Sequence, residues 1–275
     1  MKCCFCGTVR NCGPYLEKNL QNIEILSQLF EDYEIIIVYD KSSDNSLEIL
    51  KRYQTKNNKL KIYIIPQLIS YFRTHRLAHA RNICFNYVKD NNYPLFIMMD
   101  FDEVNAKQIN PAVLEKYLVG NNYNLWDSLS FNTSPKYYDI WALSIFPYCF
   151  SYNHFTNNSQ HNYHTIQDYI VKILEKSKNK NNELVRCISA FNGFAIYKTE
   201  SFKNCNYDGR LNLSKIPQKY ILYHKKASGG KFITYDYGNV NGKYEECEHR
   251  IFHISAIKEN NAKIMISPEL LYFNI

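Results

Sequence analysis

Short, nearly continuous apolar runs alternate with amphipathic segments along the first hundred residues. Residues 2–9 read as a strand, and residues 33–39 (YEIIIVY) as a second, with the unbroken apolar character of a parallel strand covered on both faces. Residues 60–65 and 93–99 (YPLFIMM) are the third and fourth strands. Between them, residues 14–30 read as a helix entered through Gly13-Pro14, since proline is tolerated in a first helical turn. Residues 43–53 read as a helix with Ser or Asp available to cap it. Residues 74–88 place Leu77, Ala80, Arg81, Cys84 and Val88 at helical spacing. This strand–helix alternation predicts an α/β fold: an open, mostly parallel sheet with helices on both faces. In such sheets ligands lie beyond the carboxyl ends of the strands.

After Asn110-Pro111, expected to open a helix that runs through Val119, the pattern loosens. Residues 126–131 read as a strand, 137–145 (YYDIWALSI) as an aromatic segment, 153–164 as a polar loop and 165–176 as a helix. Residues 195–198, 220–224 and 251–254 are short strand candidates. No linker cuts the chain and no repeat is visible. The expectation is one domain over residues 1–275, with a regular first half (1–120) and a looser second half (121–275) that elaborates it.

Three polar clusters fall at predicted strand ends: Arg10-Asn11, Asp40 to Asp44, and Asp100-Phe101-Asp102. Two carboxylates two residues apart at a strand end both reach a cleft if the chain turns there. Such hard oxygen ligands suit Mg²⁺ or Mn²⁺, which keep waters and bind substrate phosphates. A cation there would neutralise charge on a departing phosphate group. Asp40, ending its strand, is suited to accept hydrogen bonds from a ribose or base edge; Asp44 serves equally as such a ligand or as a helix cap. Arg73 and Arg76 lie at the start of a helix, where backbone N–H groups also favour anions, and could clamp a diphosphate. Arg81 shares a face with Leu77 and Cys84, so it is expected to be partly buried and to orient Asp100 or Asp102. His249 and His253, in CEHRIFH, share one face whether the segment is strand or helix, and either could complete a metal site or contact a phosphate. Gly193 could let the backbone approach a sugar ring or simply form a turn.

Composition narrows the partners. A net charge of +7 admits a phosphate-bearing donor, a nucleic acid or a membrane surface. The basic residues form no continuous stripe, so a nucleic-acid partner is not expected. The 24 tyrosines suit a carbohydrate or nucleotide cleft and equally an ordinary core. Of nine cysteines, Cys3, Cys4, Cys6 and Cys12 crowd the start, but no second pair has zinc-ribbon spacing. They read as small hydrophobes in a buried strand, and the odd count fits a reducing compartment. With no secretory h-region and no apolar run long enough to span a bilayer, a soluble cytoplasmic protein is expected, peripheral to membranes at most.

Taken in order, the segments VRNCGPYL, VYDKSSDNS, RTHRLAHARN, MMDFDEVN, YYDIWAL, SAFNGFAIYK and CEHRIFH resemble the successive motifs of GT-A fold nucleotide-sugar glycosyltransferases. They are most similar to the capsule-associated α-mannosyltransferase type and its viral and bacterial relatives, over residues 9–253. The resemblance implies a Rossmann-like GT-A sheet with a nucleotide-sugar-binding half (1–120) and a C-terminal acceptor-side elaboration (121–275), a nucleoside-diphosphate-sugar donor and a Mn²⁺ or Mg²⁺ cofactor. It also implies a hexosyltransferase, mannosyltransferase included, acting on a glycan, glycoprotein or glycolipid. Carried over by position, it puts Arg10 and Asp40 at the nucleoside and Arg73 and Arg76 at the diphosphate. Asp100 and Asp102 take the metal, Asp102 more directly, with His249 or His253 as a late metal or phosphate contact. Two departures are Asn192, where a second small residue is expected, and the lack of the anchor and stem of secretory relatives. An inverting reaction requires a carboxylate base, for which Asp139, Glu103 and Glu248 are available; a retaining route is equally open and is mildly favoured by the resemblance. The competing function is a catalytically inactive GT-A-like protein that binds glycans or nucleotides, which the intact Asp100, Asp102 and Arg73 oppose. A basic nucleic-acid-binding protein is the weaker competitor.

Overall fold

The computed structural model describes residues 1–154, 159–229 and 245–274. The elements run β1 (Lys2–Val9), α1 (Gly13–Ser27), β2 (Asp32–Tyr39), α2 (Ser46–Lys56), β3 (Leu60–Ile64), α3 (Arg73–Asp90) and β4 (Leu95–Asp100). Then follow β5 (Gln108–Ile109), α4 (Pro111–Glu115), β6 (Ser128–Asn132), α5 (Ser159–Lys178), β7 (Val185–Cys187), β8 (Phe194–Lys198) and α6 (Thr199–Phe202). The chain ends with α7 (Gln218–Ser228), α8 (Glu248–Asn260), β9 (Ile264–Leu270) and β10 (Tyr272–Phe273).

Eight strands form one sheet in the order β3-β2-β1-β4-β8-β6-β9-β7. The first four are mutually parallel. β8 runs antiparallel to β4 and β6 antiparallel to β8, so the sheet changes character where the second half joins it. Alternation along β1, β2 and β4 divides the core between two faces. Cys4, Cys6, Ile36, Val38, Phe96 and Met98 lie in one cluster, and Cys3, Phe5, Ile35, Ile37, Leu95 and Ile97 in the other. All nine cysteines are buried free thiols. Both clusters draw residues from each half of the chain, Tyr197 and Phe252 on one face, Trp126 and Phe131 on the other. No described helix is long and apolar enough to cross a membrane.

Two strand expectations fail. Residues 220–224 lie inside α7 and residues 251–254 inside α8. Glu248 to Ile254 are all buried, so a helix enclosed on every side leaves no amphipathic period, and its short apolar run mimics a strand. Three helix bounds also shift: α2 starts at Ser46, α4 ends at Glu115, and α5 begins at Ser159 inside the expected polar loop. Part of that loop, residues 155–158, lies outside the described residues.

Candidate active site

The carboxyl ends of β1, β2 and β4 open into one cleft of about 470 Å³, lined by Arg10, Asp40, Arg73, Arg76, Asp100 and Asp102 among others. The first structural cause is the alternation in Asp100-Phe101-Asp102. Phe101 is 2% exposed and turns inward, so both flanking carboxylates face the cleft. That inward ring needs a glycine opposite, because a Cβ on Gly7 would lie 2.1 Å from Phe101 Cε2.

Hydrogen bonds fix the turn. Asp102 Oδ1 accepts from Val104 N (3.1 Å) and caps the single turn Glu103–Asn105. Its Oδ2 accepts from the Tyr138 hydroxyl at 2.8 Å. Asn105 donates to the carbonyls of Asp100 (2.8 Å) and Gly193 (2.6 Å), and Asn19 on α1 donates to the Asp102 carbonyl at 3.1 Å. Asn19 and Asn22 are fully buried on α1, and their one sequence signal is their place among Leu16, Leu20 and Ile23 on the inward face of that helix.

Asp40 stands between two guanidiniums, with Arg10 Nη1 at 3.3 Å and Arg76 Nε at 3.4 Å from Oδ2. Arg76 also donates to the carbonyls of Ser70 and Tyr71, both at 2.9 Å, so it braces the loop before α3. Arg73, one turn earlier, is exposed and lines the cleft.

A second, smaller cavity of about 290 Å³ shares Arg73, Leu77 and Asp100 with the first and extends to Asp139, Glu248 and His249. The second cavity is also lined by Arg81, 3% exposed, whose Nη2 lies 3.0 Å from Oδ1 of the shared Asp100 and whose Nη1 lies 3.2 Å from Glu248 Oε1. Its guanidinium carbon is 4.5 Å from the centre of the Phe191 ring. Burial pushes the Asp100 carboxyl up to about 8; Arg81 pulls against this, and Asp102 and Asp139 push with it. Burial also raises the Asp139 carboxyl, whose Oδ1 accepts from Ala142 N at 2.9 Å.

The predicted residues therefore divide. Arg10, Asp40, Arg73, Arg76, Asp100 and Asp102 meet in the cleft, and Asp139, Glu248 and His249 line the adjoining cavity. Asp44 lies outside both cavities and caps α1: Oδ2 accepts from Gly13 N at 2.8 Å, and Oδ1 from the Ser46 hydroxyl at 2.6 Å and its N–H at 3.0 Å. Gly193 has φ +82°, and the close approach it permits is to Val104, whose Cγ1 would lie 2.6 Å from a Cβ there. Its carbonyl accepts from Asp100 N at 2.8 Å, so its visible role is to hold the β4 end. His253 is sealed in the core between the Ser189 hydroxyl (2.9 Å) and the Tyr197 hydroxyl (3.2 Å). Burial holds its imidazole down at about 3. His249 stacks on Phe191 with centroids 3.9 Å apart. Burial, reinforced by Arg81 and His253, holds it well below the ordinary imidazole range. Among the described residues, no group of three or more His, Cys, Asp or Glu is disposed to hold a metal ion.

The sequence profile described as "Glycosyl transferase family 2" matches residues 6–205. An uncharacterized protein of Dictyostelium discoideum is 35% identical over 68 residues, 24% of this chain and 28% of that protein. The S. aureus TarS fragment 1–349, solved in complex with UDP-GlcNAc, superposes over 100% of this chain and 58% of its own, with a TM-score of 0.50 and 15% identity. The mannosyltransferase PcManGT of Pyrobaculum calidifontis, solved with GDP-Man and Mn²⁺, matches 75% of this chain and 47% of its own (TM-score 0.43, 13% identity). The chain thus spans less than two thirds of each of these relatives. The TarS likeness concerns the fold, a GT-A sheet flanked by helices.

Proposed function

The chain belongs to glycosyl transferase family 2, and from that premise we propose that it moves a sugar from a nucleoside-diphosphate sugar to an acceptor hydroxyl, with a divalent cation held by Asp100 and Asp102. The observation that carries this reading is the meeting of Arg10, Asp40, Arg73, Arg76, Asp100 and Asp102 in one cleft beyond the parallel strands.

The donor set fits a hard cation. Asp100 and Asp102 both line the cleft and offer carboxylate oxygens there. Two carboxylates suffice for Mg²⁺ or Mn²⁺ when phosphate oxygens and waters complete the shell. Bound there, the cation would supply Lewis-acid stabilisation of the departing diphosphate. Tyr138 holds Asp102 in orientation through its hydroxyl. Arg76 is committed to Asp40 and to two carbonyls, so the exposed Arg73 is the better placed of the two to turn onto the diphosphate. Asp40, with Arg10 beside it, faces the nucleoside. In the adjoining cavity Glu248 is engaged by Arg81. Asp139 is raised by burial and is the better acceptor for the proton of an attacking hydroxyl, if inversion is the route. His249 lines the adjoining cavity and not the donor cleft, which puts it on the acceptor side; the sealed position of His253 speaks against its taking part.

The test is donor hydrolysis across a panel of UDP- and GDP-sugars, GDP-mannose and UDP-GlcNAc among them, with and without Mn²⁺. At least one donor is expected to be hydrolysed only with metal, and Asp102→Ala to lose at least about a hundredfold of that rate. A folded protein that turns over no donor while binding one would move the reading to the inactive, nucleotide-binding alternative.

A further inference from the structure

The cavity beside the donor cleft has a character of its own. Tyr138, Trp141, Tyr152 and Tyr163 give it an aromatic wall, while Asp139, Glu248 and His249 supply polar atoms. His249 is 1% exposed, and neither of its ring nitrogens has a hydrogen-bond partner among the described residues. A buried polar group left without a partner costs about 1–3 kcal/mol, and His249 lines this cavity with Glu248 Oε1 3.8 Å from its Nε2, so its imidazole is open to a ligand there. The buried indole N–H of Trp141 is likewise without a partner. A neutral imidazole offers one donor and one acceptor, which matches a hydroxyl group.

Charge argues the same way. On the reading above Asp100 holds the cation and Arg73 turns to the diphosphate, which leaves Asp139 and Glu248 in this cavity with Arg81, itself shared between Asp100 and Glu248. With Asp139 and Glu248 against Arg81 alone, the cavity has no surplus positive charge to hold a phosphate or carboxylate. Aromatic faces are negative at their centres, and the weakly positive C–H face of a sugar ring packs on them. The cavity also opens to Asp100 and Arg73, which line the donor cleft too, so a hydroxyl bound here lies next to the donor.

We propose that this cavity binds the acceptor as an uncharged pyranose, stacked on Trp141 and hydrogen-bonded by His249, and that acceptors carrying a phosphate or carboxylate on that ring are disfavoured. This rests on the transferase reading above and deepens it by naming the acceptor class.

The test is saturation-transfer NMR on the full chain with Mn²⁺ and UDP or GDP present. The probes are the methyl glycosides of mannose, glucose, galactose and N-acetylglucosamine, each beside its 6-phosphate. At least one uncharged glycoside is expected to bind saturably and its phosphate more weakly. Trp141→Ala is expected to weaken that binding about tenfold and Trp141→Phe to restore most of it, as loss and return of a stacking face require. His249→Ala is expected to weaken it as well. If Trp141→Ala does not fold, Tyr163→Ala in the same aromatic lining reads the same loss. Tighter binding of the phosphates, no binding of any glycoside, or binding indifferent to Trp141 and Tyr163 overturns the proposal. Nucleotide binding in the same samples separates the two failures: nucleotide bound without glycoside sinks the acceptor inference alone, and neither bound sinks the transferase reading with it.

Discussion

Arg81 connects the two cavities, and its removal should be felt in both stability and pH dependence. In Arg81→Met a flexible apolar side chain keeps contact with Phe191 but leaves the Asp100 and Glu248 carboxylates without their shared guanidinium. Asp100 is 22% exposed at its side chain and Glu248 5%, so solvent compensates little. Removing one partner of a buried ion pair costs about 3–5 kcal/mol. The cost depends on protonation. Burial already pushes Asp100 up to about 8 in the folded protein, and without Arg81 it rises further. A carboxyl raised in the folded state binds more protons there than when unfolded, so it subtracts stability as pH rises from about 4 through its folded value. The variant should therefore be closest to wild type near pH 5 and furthest from it near pH 9. Urea unfolding at the two pH values measures both stabilities. A deficit under about 1 kcal/mol, or one equal at both pH values, would refute the argument that Arg81 neutralises these carboxylates.

Other consequences are smaller and separable. Gly7→Ala drives a Cβ into Phe101 and should cost about 1–3 kcal/mol in thermal melts, with a weaker Mn²⁺-linked shift because Asp100 and Asp102 move with the ring. If Mn²⁺ displaces a proton from Asp100, apparent Mn²⁺ affinity by calorimetry should rise up to about tenfold per pH unit and level off above about 8; an affinity flat from pH 6 to 8 contradicts this. Asp44→Ala should lose about 1 kcal/mol of stability as an α1 cap is removed, yet bind nucleotide as wild type does. Asp40→Ala should show the opposite pattern, and equal nucleotide affinity in the two variants counts against Asp40 as a nucleoside contact.

The first half of the fold was legible because its strands are buried on both faces, and uninterrupted apolar runs such as YEIIIVY admit few other structures. Asp100-Phe101-Asp102 was legible for a related reason: the run into it is β4, and alternation turns Phe101 inward. Arg81 was readable as buried from its spacing with Leu77 and Cys84, and its bond to Asp100 follows. Its second partner, Glu248, was not, because no local pattern connects α3 to the start of α8. The second cavity was hidden likewise: its wall comes from the segment around Tyr138 and Trp141, from Tyr152 and Tyr163, and from α8. Asp40 and Asp44 differ by one turn of chain, yet Asp40 lines the cleft while Asp44 closes on Gly13 and Ser46. The two histidines of CEHRIFH do share a side of α8, with ring centres 5.8 Å apart. Only the tertiary packing of Ser189 and Tyr197 reserves His253 for the core.

The central claim is that Asp102 and Asp100 hold a cation against a nucleoside diphosphate. Calorimetric titration of UDP and GDP into the full chain, with and without Mn²⁺, tests it most directly when repeated on Asp102→Asn. The account predicts metal-dependent binding of at least one nucleotide by the wild type, and a loss of at least about tenfold in the variant with the fold retained. Nucleotide binding of equal strength with and without Mn²⁺, unchanged in Asp102→Asn, would contradict it.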